Sequence, residues 1–342
     1  MTAYAQIFCT VDDMIADLES VGGDVTRMYQ AIRDACDLIE REIGQFIPVS
    51  ATKYFDGLGS SQLFIPPVLA ITSIENDEIA LVADTDFYMR PTGGHWANGP
   101  YSWLEAAPES SLLSTWVNEV NDVMIAGRWG MFERIAALSG TTSAQLIGAT
   151  TLTVSDGSQV SPGMVIKNES EQELVTGYGA VTAAVTTVNG AIDATDDEIT
   201  LAAVSGVNVG EIIRIGFEQM KVMDKNSTTM KLAVMRGWNR TMRVLHAHTA
   251  AVDVYRTFNV ERGMNGTTAA AHSGSLTISR YHAPDFIRYL ATGGAILMMN
   301  KARSGFAGKS GNEQLGTTFY NDSWMFKEMD KARRLFYIPR TR

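Results

Sequence analysis

The sequence has little cysteine and no long apolar stretch. Its 342 residues include two cysteines, Cys9 and Cys36, too few for a disulfide framework, which favours a reducing compartment. No basic region precedes an apolar core at the start, so we expect no secretory signal. The longest apolar run beside a predicted helix, 295–299, is far shorter than the roughly 20 residues of a membrane span. These absences exclude a secreted disulfide-rich module and predict no membrane partner.

Signatures of catalysis and metal binding are also missing. No Cys/His zinc spacing and no G-x-S-x-G elbow occurs. The G-K-S at 308–310 lacks the earlier glycine of a phosphate-binding loop and follows a helix. The acidic run 193–198 lacks the spacing of a calcium loop. Glu171 and Glu173 would share one face of a strand, although the residues just before them indicate a turn. We therefore expect no enzymatic activity, no catalytic residues, no cofactor and no metal.

Charge is distributed unevenly along a chain of ordinary globular composition, with 45% hydrophobic and 19% charged residues. The net charge is −10. Residues 1–100 hold fifteen acidic and five basic side chains, whereas residues 284–342 hold ten basic and five acidic ones. An acidic body would repel nucleic acid, and a basic tail could meet an acidic partner. The alternative is that both are solvated faces.

Apolar residues at helical spacing predict an amphipathic helix over 25–43, with Asp24 as its N-cap and Gly44 at its end. A short capped helix at 10–20 precedes it. Short strands are predicted at 52–56, 62–65 and 70–76, the last two separated by Pro66-Pro67. Residues 92–103 predict a loop. We expect the long helix to pack against a later helix that starts at Pro284.

Five short motifs follow one another in the first 130 residues. They are Tyr54-Phe55-Asp56-Gly57, Leu63-Phe64-Ile65-Pro66, Ile71-Thr72-Ser73-Ile74, Asp86-Phe87-Tyr88 and Ile125-Ala126-Gly127-Arg128-Trp129-Gly130. Their order resembles that of the head–tail connector (adaptor) family of tailed bacteriophages, over residues 25–130 and 284–336. The resemblance implies an α+β fold with a discontinuous helical adaptor core and a small β-sheet, formed by residues 1–140 and 284–342.

Residues 141–283 differ from the adaptor pattern and predict an inserted all-β domain, rich in Thr, Val, Gly and Ala. The insertion repeats itself, because the sequence from 152 aligns with that from 199 and residues 236–246 align with 262–272. Two nested pseudo-repeats explain this order. We expect a unit at 198–256 inserted into a unit made of 150–190 and 257–281.

Two turns in the repeats should carry structural residues. They are Arg236, Gly237, Arg262, Gly263, Asn265 and Gly266. Asn265-Gly266 predicts a type I′ hairpin, and Arg240 in place of that glycine predicts a looser or longer turn in the other copy. His246 and His272 are interpreted as satisfied hairpin residues, with a ligand or catalytic role left as the alternative.

The resemblance implies a structural virion protein that forms a ring adaptor between the portal and the downstream neck or tail protein. We expect a homo-oligomeric ring of about twelve copies, made in the host cytoplasm and located in the virion neck, through which DNA passes without specific binding. A last helix at about 322–336 and the basic tail should dock on the portal. The candidate docking residues are Trp324, Lys331, Arg333, Arg334, Tyr337, Ile338, Arg340 and Arg342.

Two other functions remain open at this point. One is a carbohydrate-binding or carbohydrate-cleaving virion accessory whose aromatic residues stack on sugars, although the same residues would also suit a core or an interface. These aromatic residues are Tyr88, Trp96, Tyr101, Trp103 and Trp116. The other is a tail-terminator or head-decoration protein, which would differ from an adaptor in its copy number.

Overall fold

The computed structural model describes residues 4–18, 23–96, 99–303, 309–312, 316–319 and 323–336. These residues form three six-stranded antiparallel sheets, one two-stranded sheet and four α-helices. The predicted fold class, a discontinuous helical adaptor core with a small β-sheet, is therefore wrong. Six strands from the first 130 residues pair into a sheet with as many strands as each sheet of the insertion, so the chain is mostly β-structure.

The helices form one layer from both ends of the sequence. They are α1 (Val11–Asp17), α2 (Val25–Glu42), α3 (Asp285–Arg303) and α4 (Ser323–Leu335). The Asp24 side chain accepts from two backbone N–H groups at the start of α2, and Gly44 follows its end at φ +135°, as predicted. The apolar face of α2 packs against α3 in one buried cluster, which confirms the expected contact. None of the helices within the described ranges is long and apolar enough to cross a membrane.

The first sheet contains six strands. They are β1 (Val49–Phe55), β2 (Gln62–Asn76), β3 (Ile79–Ala80), β4 (Phe87–Arg90), β5 (Tyr101–Ala106) and β6 (Val123–Trp129). Their order is β1-β6-β2-β5-β4, and β3 pairs with β2. The two short strands predicted around Pro66-Pro67 are one continuous strand, because a register shift between Phe64 and Val68 accommodates both prolines. β2 pairs with β5 around the shift and with β6 beyond it.

Residues 135–281 build two units that share one topology, and their first strand precedes the predicted start of the insertion at 141. The outer unit contains β7 (Ile135–Ala137), β8 (Thr151–Thr153), β9 (Val165–Asn168), β10 (Glu171–Tyr178), β17 (Thr257–Glu261) and β18 (Ser279–Tyr281). The inner unit contains β11 (Val181–Thr187), β12 (Glu198–Thr200), β13 (Ile212–Ile215), β14 (Glu218–Asn226), β15 (Lys231–Arg236) and β16 (Ala251–Tyr255). Their sheet orders, β7-β18-β9-β10-β17-β8 and β11-β16-β13-β14-β15-β12, correspond strand for strand.

The two alignments found in the sequence relate equivalent positions of these units. A shift of 47 carries buried Leu152 onto buried Ile199, and a shift of 26 carries buried Val260 onto buried Val234. The expected boundary of the outer unit at 190 is wrong, because β11 pairs with β16 and so belongs to the inner unit. Between α3 and α4 in the sequence, the strands β19 (Lys309–Asn312) and β20 (Gly316–Phe319) pair with each other.

Candidate functional site: two buried carboxylate clusters

A buried carboxylate lies at the start of β14 in the inner unit. Arg236 donates to both oxygens of Glu218, from Nε over 2.6 Å and from Nη2 over 2.7 Å, and neither side chain is exposed to solvent. The backbone N–H groups of Gly237 and Val244 donate to the same carboxylate over 3.2 and 3.1 Å. Nε2 of His246 lies 2.8 Å from Oε2. The charge of Glu218 is therefore paired and fully hydrogen-bonded.

The outer unit repeats this arrangement at the start of β10. Arg262 donates to the two oxygens of Glu171 over 2.7 and 2.6 Å. The backbone N–H groups of Gly263 and Ala270 donate over 2.9 and 3.0 Å, and Nε2 of His272 lies 2.8 Å away. Since every partner corresponds to one in the inner unit at a shift of 47 or 26, we interpret the arrangement as a structural element of the shared fold.

Each arginine also ties a loop to the sheet. Nη1 of Arg236 donates to the carbonyl oxygens of Asp193 and Asp196 over 2.7 and 3.0 Å, and its Nη2 donates to the carbonyl of Val244 over 2.8 Å. In the outer unit Arg262 reaches the carbonyl of Leu146 over 3.1 Å. The backbone of the acidic run 193–198 is thus occupied by a guanidinium, the opposite of what a cation site needs.

The outer cluster is more polar than the inner one. Glu173 is fully buried, and its carboxylate accepts from Asn168 Nδ2 and Gln145 Nε2, each over 3.0 Å. The equivalent inner-unit residues are all buried and apolar. They are Met220, Ile215 and Ile192. The outer unit therefore replaces part of a hydrophobic core by a second carboxylate and two amides, which the fold itself does not require.

Electrostatics in the outer cluster favour the charged forms. Burial alone would raise the pKa of Glu171, but hydrogen bonds from Arg262, Ala270, His272 and Gly263 outweigh it and lower the pKa to about 2. Burial likewise would lower the pKa of His272, yet the carboxylates of Glu169 and Glu171 outweigh it and raise the pKa. The guanidinium of Arg262 and the imidazole of His272 therefore both lie within hydrogen-bonding distance of the buried Glu171 carboxylate.

The outer cluster also contains a potential set of metal ligands. Glu171, Glu173 and His272 could offer three ligand atoms within 4.8 Å of one another. However, Arg262 already holds both oxygens of Glu171, and the inner unit keeps the same carboxylate, arginine and histidine with Met220 in place of Glu173. The cluster suits an internal ion-pair network better than a metal centre.

Four of the residues predicted to be structural in the turns bond to the buried carboxylates, and the other two, Asn265 and Gly266, lie against other segments of the chain. Gly237 and Gly263 have φ of 68° and 61°, which favours glycine there. The side chain of Asn265 bonds to the backbone of Ala5 over 2.8 and 2.9 Å and to Gln172 over 2.8 Å. The strand that follows this turn, β18, pairs with β7 and β9 rather than with β17, so the turn does not close a hairpin.

The candidate docking residues of the last helix have mixed surroundings. Trp324 packs edge-on against Tyr289 of α3 at 5.8 Å between ring centroids. Arg333 pairs with Glu42 of α2 and, over 2.8 Å, with Asp330, whereas Arg334 is exposed. Lys331 is exposed and pairs with Glu328 over 2.6 Å. The other four candidates, Tyr337, Ile338, Arg340 and Arg342, lie outside the described residues, as does the glycine of the G-K-S at 308–310.

The five aromatic residues considered for sugar stacking do not form one surface. Trp116 is fully buried. Trp96 and Tyr101 line a cleft of about 680 Å³ together with Arg128, Phe132 and Glu133. Trp96 stacks on Phe132 at 4.6 Å between centroids, so one face of its ring is already covered. Trp103 and Tyr88 lie on the neighbouring strands β5 and β4.

No protein-family model, curated protein or solved structure matches this chain. The site is therefore described by its own geometry. The two arginines stand out in the sequence, whereas their pairing with Glu171 and Glu218 was not predicted from it. A signal for them was present, because the shift of 47 places these two glutamates over each other, next to the matched pair Gln172 and Gln219.

Proposed function

We propose that this protein is a structural virion component, the ring adaptor between the portal and the downstream neck or tail protein. The observation that carries the proposal is that the motifs behind the resemblance come together in space. Those from 54–57, 63–66, 71–74 and 125–130 include residues of β1, β2 and β6, three strands that pair side by side. Motifs inherited from the core of an adaptor protein should lie together in one sheet, as these do, although this core is less helical than the resemblance implies.

The buried clusters support a scaffold role. The carboxylates of Glu171 and Glu218 accept hydrogen bonds from arginine, histidine and backbone donors inside their own units, and these bonds stabilise the surrounding loops. Such satisfied networks make a unit rigid, and a rigid unit suits a ring that must keep its shape while DNA passes. The proposed partners remain further copies of the chain, the portal and a neck or tail protein.

The exposed, charged face of α2 is a candidate for the channel wall or for a contact between copies. Asp34 and Asp37 are exposed on the helix face opposite its apolar side, where Arg27, Arg33 and Arg41 are exposed as well. Duplex DNA carries about one negative charge per 1.7 Å, so an acidic channel wall would let it slide, whereas a basic wall would hold it. We propose that this face, which carries both signs, meets a neighbouring copy or lines the channel. A channel dominated by Lys and Arg in an assembled ring would rule out the channel role.

Portal docking is assigned to α4 and the residues after it. Arg333 pairs with Glu42 of α2, whereas Lys331 pairs only within its own helix, with Glu328, so the exposed side chains of Arg334 and then Lys331 are the better candidates for direct contact. Lys331→Glu with Arg334→Glu should weaken co-purification with the portal, as should deletion of residues 337–342. Lys231→Glu, at a half-exposed site on the inner unit, is the control and should bind normally. Unchanged binding by both test variants would contradict this docking assignment.

A second candidate function rests on the cleft lined by Trp96 and Tyr101. Its aromatic walls and the nearby Arg128 and Glu133 are the side-chain types that hold a sugar ring. A glycan array probed with the purified protein, with Trp96→Ala as the loss-of-binding variant and Phe217→Ala as the control, tests this function. Binding that Trp96→Ala abolishes would favour the carbohydrate function; no hits would remove it.

A further inference from the structure

Two buried thiols lie together where the N-terminal segment meets the helical layer. Cys9 and Cys36 are free cysteines, 2% and 0% exposed, in the cluster that also contains the apolar face of α2. The backbone N–H of Phe8 donates to Sγ of Cys36 over 3.3 Å, so this sulfur lies against the segment that carries Cys9. The thiol of Cys9 is hydrogen-bonded to Cys36 as well. The two sulfurs are therefore neighbours, although 27 positions separate them in the chain.

The segment that carries Cys9 connects the outer unit with the helical layer. The described residues before α1 form neither helix nor strand and are held by side chains. The backbone of Ala5 bonds to the side chain of Asn265 in the outer unit over 2.8 and 2.9 Å. The side chain of Gln6 bonds to the backbone of Ile47, after α2, over 2.8 and 2.9 Å. A covalent bond at Cys9 would fasten this connection to α2 itself.

Cys9 has a narrow route to solvent. It lines a cavity of about 30 Å³ together with Thr10, Met164 and Arg280, and these three residues also line a neighbouring cleft of about 380 Å³. The cavity has room for about two water molecules. Hydrogen peroxide is of that size, so it should reach the Cys9 sulfur in the folded protein, whereas a bulky oxidant such as oxidised glutathione should not.

We propose that Cys9 is an oxidation site for peroxides and that Cys36 converts the oxidised sulfur into a disulfide. The Cys9 thiolate attacks one oxygen of the peroxide and becomes a sulfenic acid, while the other oxygen leaves as hydroxide with the electron pair of the O–O bond. The Cys36 sulfur then displaces the sulfenic hydroxyl, which takes up the Cys36 proton and leaves as water. Two thiols and one peroxide thus give one disulfide and two water molecules, with the thiols oxidised and the peroxide reduced by two electrons.

The reaction should be slow and should stabilise the fold. Hydrogen bonding to Cys36 and burial raise the pKa of the Cys9 thiol well above its usual value, so the reactive thiolate is scarce at neutral pH. The disulfide closes a loop that contains α1 and much of α2. Closing this loop should raise the midpoint of thermal unfolding by about 5 °C. This chemistry belongs to the single chain and does not depend on the proposed ring.

Oxidation of the folded, reduced protein tests the site. After hydrogen peroxide, alkylation in urea and digestion with trypsin, the peptides 1–27 and 34–41 should be joined through Cys9 and Cys36, and dithiothreitol should separate them. The yield should be higher at about pH 9 than at about pH 7, because more of Cys9 is thiolate. Oxidised glutathione should leave both thiols free in the folded protein and react with both in urea. Oxidised methionines do not change this readout, which scores only the link between the peptides.

Single substitutions distinguish the roles of the two thiols. In Cys36→Ser the sulfenic acid has no thiol to displace its hydroxyl, so dimedone added in urea, after the peroxide is removed, should label Cys9. Cys9→Ser should stay unlabelled, because the Cys36 sulfur is fully buried. Peroxide should raise the midpoint of thermal unfolding in the unmodified protein and in neither variant.

The joined peptides decide the matter in the unmodified protein, even where a variant fails to fold. Thiols that stay free after peroxide, or that join only in urea, would overturn the proposal. Oxidised glutathione that joins the peptides as fast as peroxide does would contradict access through the small cavity. Equal labelling of the two variants would contradict the roles given to Cys9 and Cys36, and an unchanged midpoint would contradict the fastening of the segment to α2.

Discussion

Removal of the Arg236 guanidinium should be among the most costly single changes in the inner unit. In Arg236→Met, the carboxylate of Glu218 loses two charge-assisted hydrogen bonds of 2.6 and 2.7 Å at a position with no solvent access. The carbonyl oxygens of Asp193 and Asp196 lose their donor as well. Breaking one partner of a buried ion pair costs about 3–5 kcal/mol in the free energy of unfolding, because the other charge stays buried.

Urea unfolding followed by circular dichroism and tryptophan fluorescence measures this cost. With a denaturant slope of about 2 kcal/mol per molar, the midpoint should fall by about 1.5–2.5 M. Lys231→Met is the control, because its ion pair with Glu198 is exposed and should contribute less than about 1 kcal/mol. A double variant, Arg236→Met with Glu218→Gln, should recover part of the loss by removing the stranded charge. Equal costs for Arg236→Met and Lys231→Met would refute the reasoning.

Three further predictions concern the outer unit. The pKa of Glu171 is lowered from 4.5 to about 2, so its carboxylate stabilises the folded protein fully above about pH 4.5. This stabilisation is lost as the pH falls toward 2, and Glu171→Gln should remove the corresponding pH dependence from an acid-unfolding profile. Gly266→Ala should lower the free energy of unfolding by at least about 2 kcal/mol through its clash with Ser50, whereas Arg240→Ala should cost less than about 1 kcal/mol in thermal unfolding. Replacing the outer polar set by its inner-unit equivalents should be neutral or stabilising by about 1–4 kcal/mol. Glu173→Met alone should cost about 1–3 kcal/mol in the same urea assay, because each of the two buried amides loses its shorter hydrogen bond. The full replacement is Gln145→Ile, Asn168→Ile and Glu173→Met.

Each of these has an outcome that contradicts it. An acid-unfolding profile that is the same in Glu171→Gln as in the unmodified protein would mean that the hydrogen-bond donors do not keep the Glu171 carboxylate ionised. Equal effects of the Gly266 and Arg240 substitutions would contradict the close approach to Ser50. A triple replacement less stable than Glu173→Met alone would indicate that the outer cluster needs its polar groups for folding.

Local signals in the sequence determine part of the fold. The caps and apolar face of α2 are short-range features, so the helix and its contact with α3 follow from the pattern alone. The two units could be aligned in sequence for a related reason. Equivalent positions in the two sheets need side chains of the same kind, and Leu152 and Ile199, for example, are both apolar and buried. Arg236 and Arg262 stood out because they recur in the aligned turns.

The features of the fold that could not be predicted from the sequence depend on pairing between strands that are distant in the chain. Pro66-Pro67 indicates a break, yet β2 continues because its two halves bond to different neighbours, β5 and β6. Tyr101 begins a strand inside a stretch rich in turn residues, since β2 and β4 hold it on both sides. The assignment of β11 to the inner unit likewise depends on its partner β16. Partner identity is a property of the folded chain, which local propensity does not encode.

The ring is the central claim, and electron microscopy of the protein co-expressed with the portal protein encoded on the same genome tests it most directly. We predict closed rings of a single copy number, seated on one end of the portal, with one inner unit per copy projecting from the ring. Co-purification of only monomers or twofold dimers, with no density added to the portal, would contradict the claim.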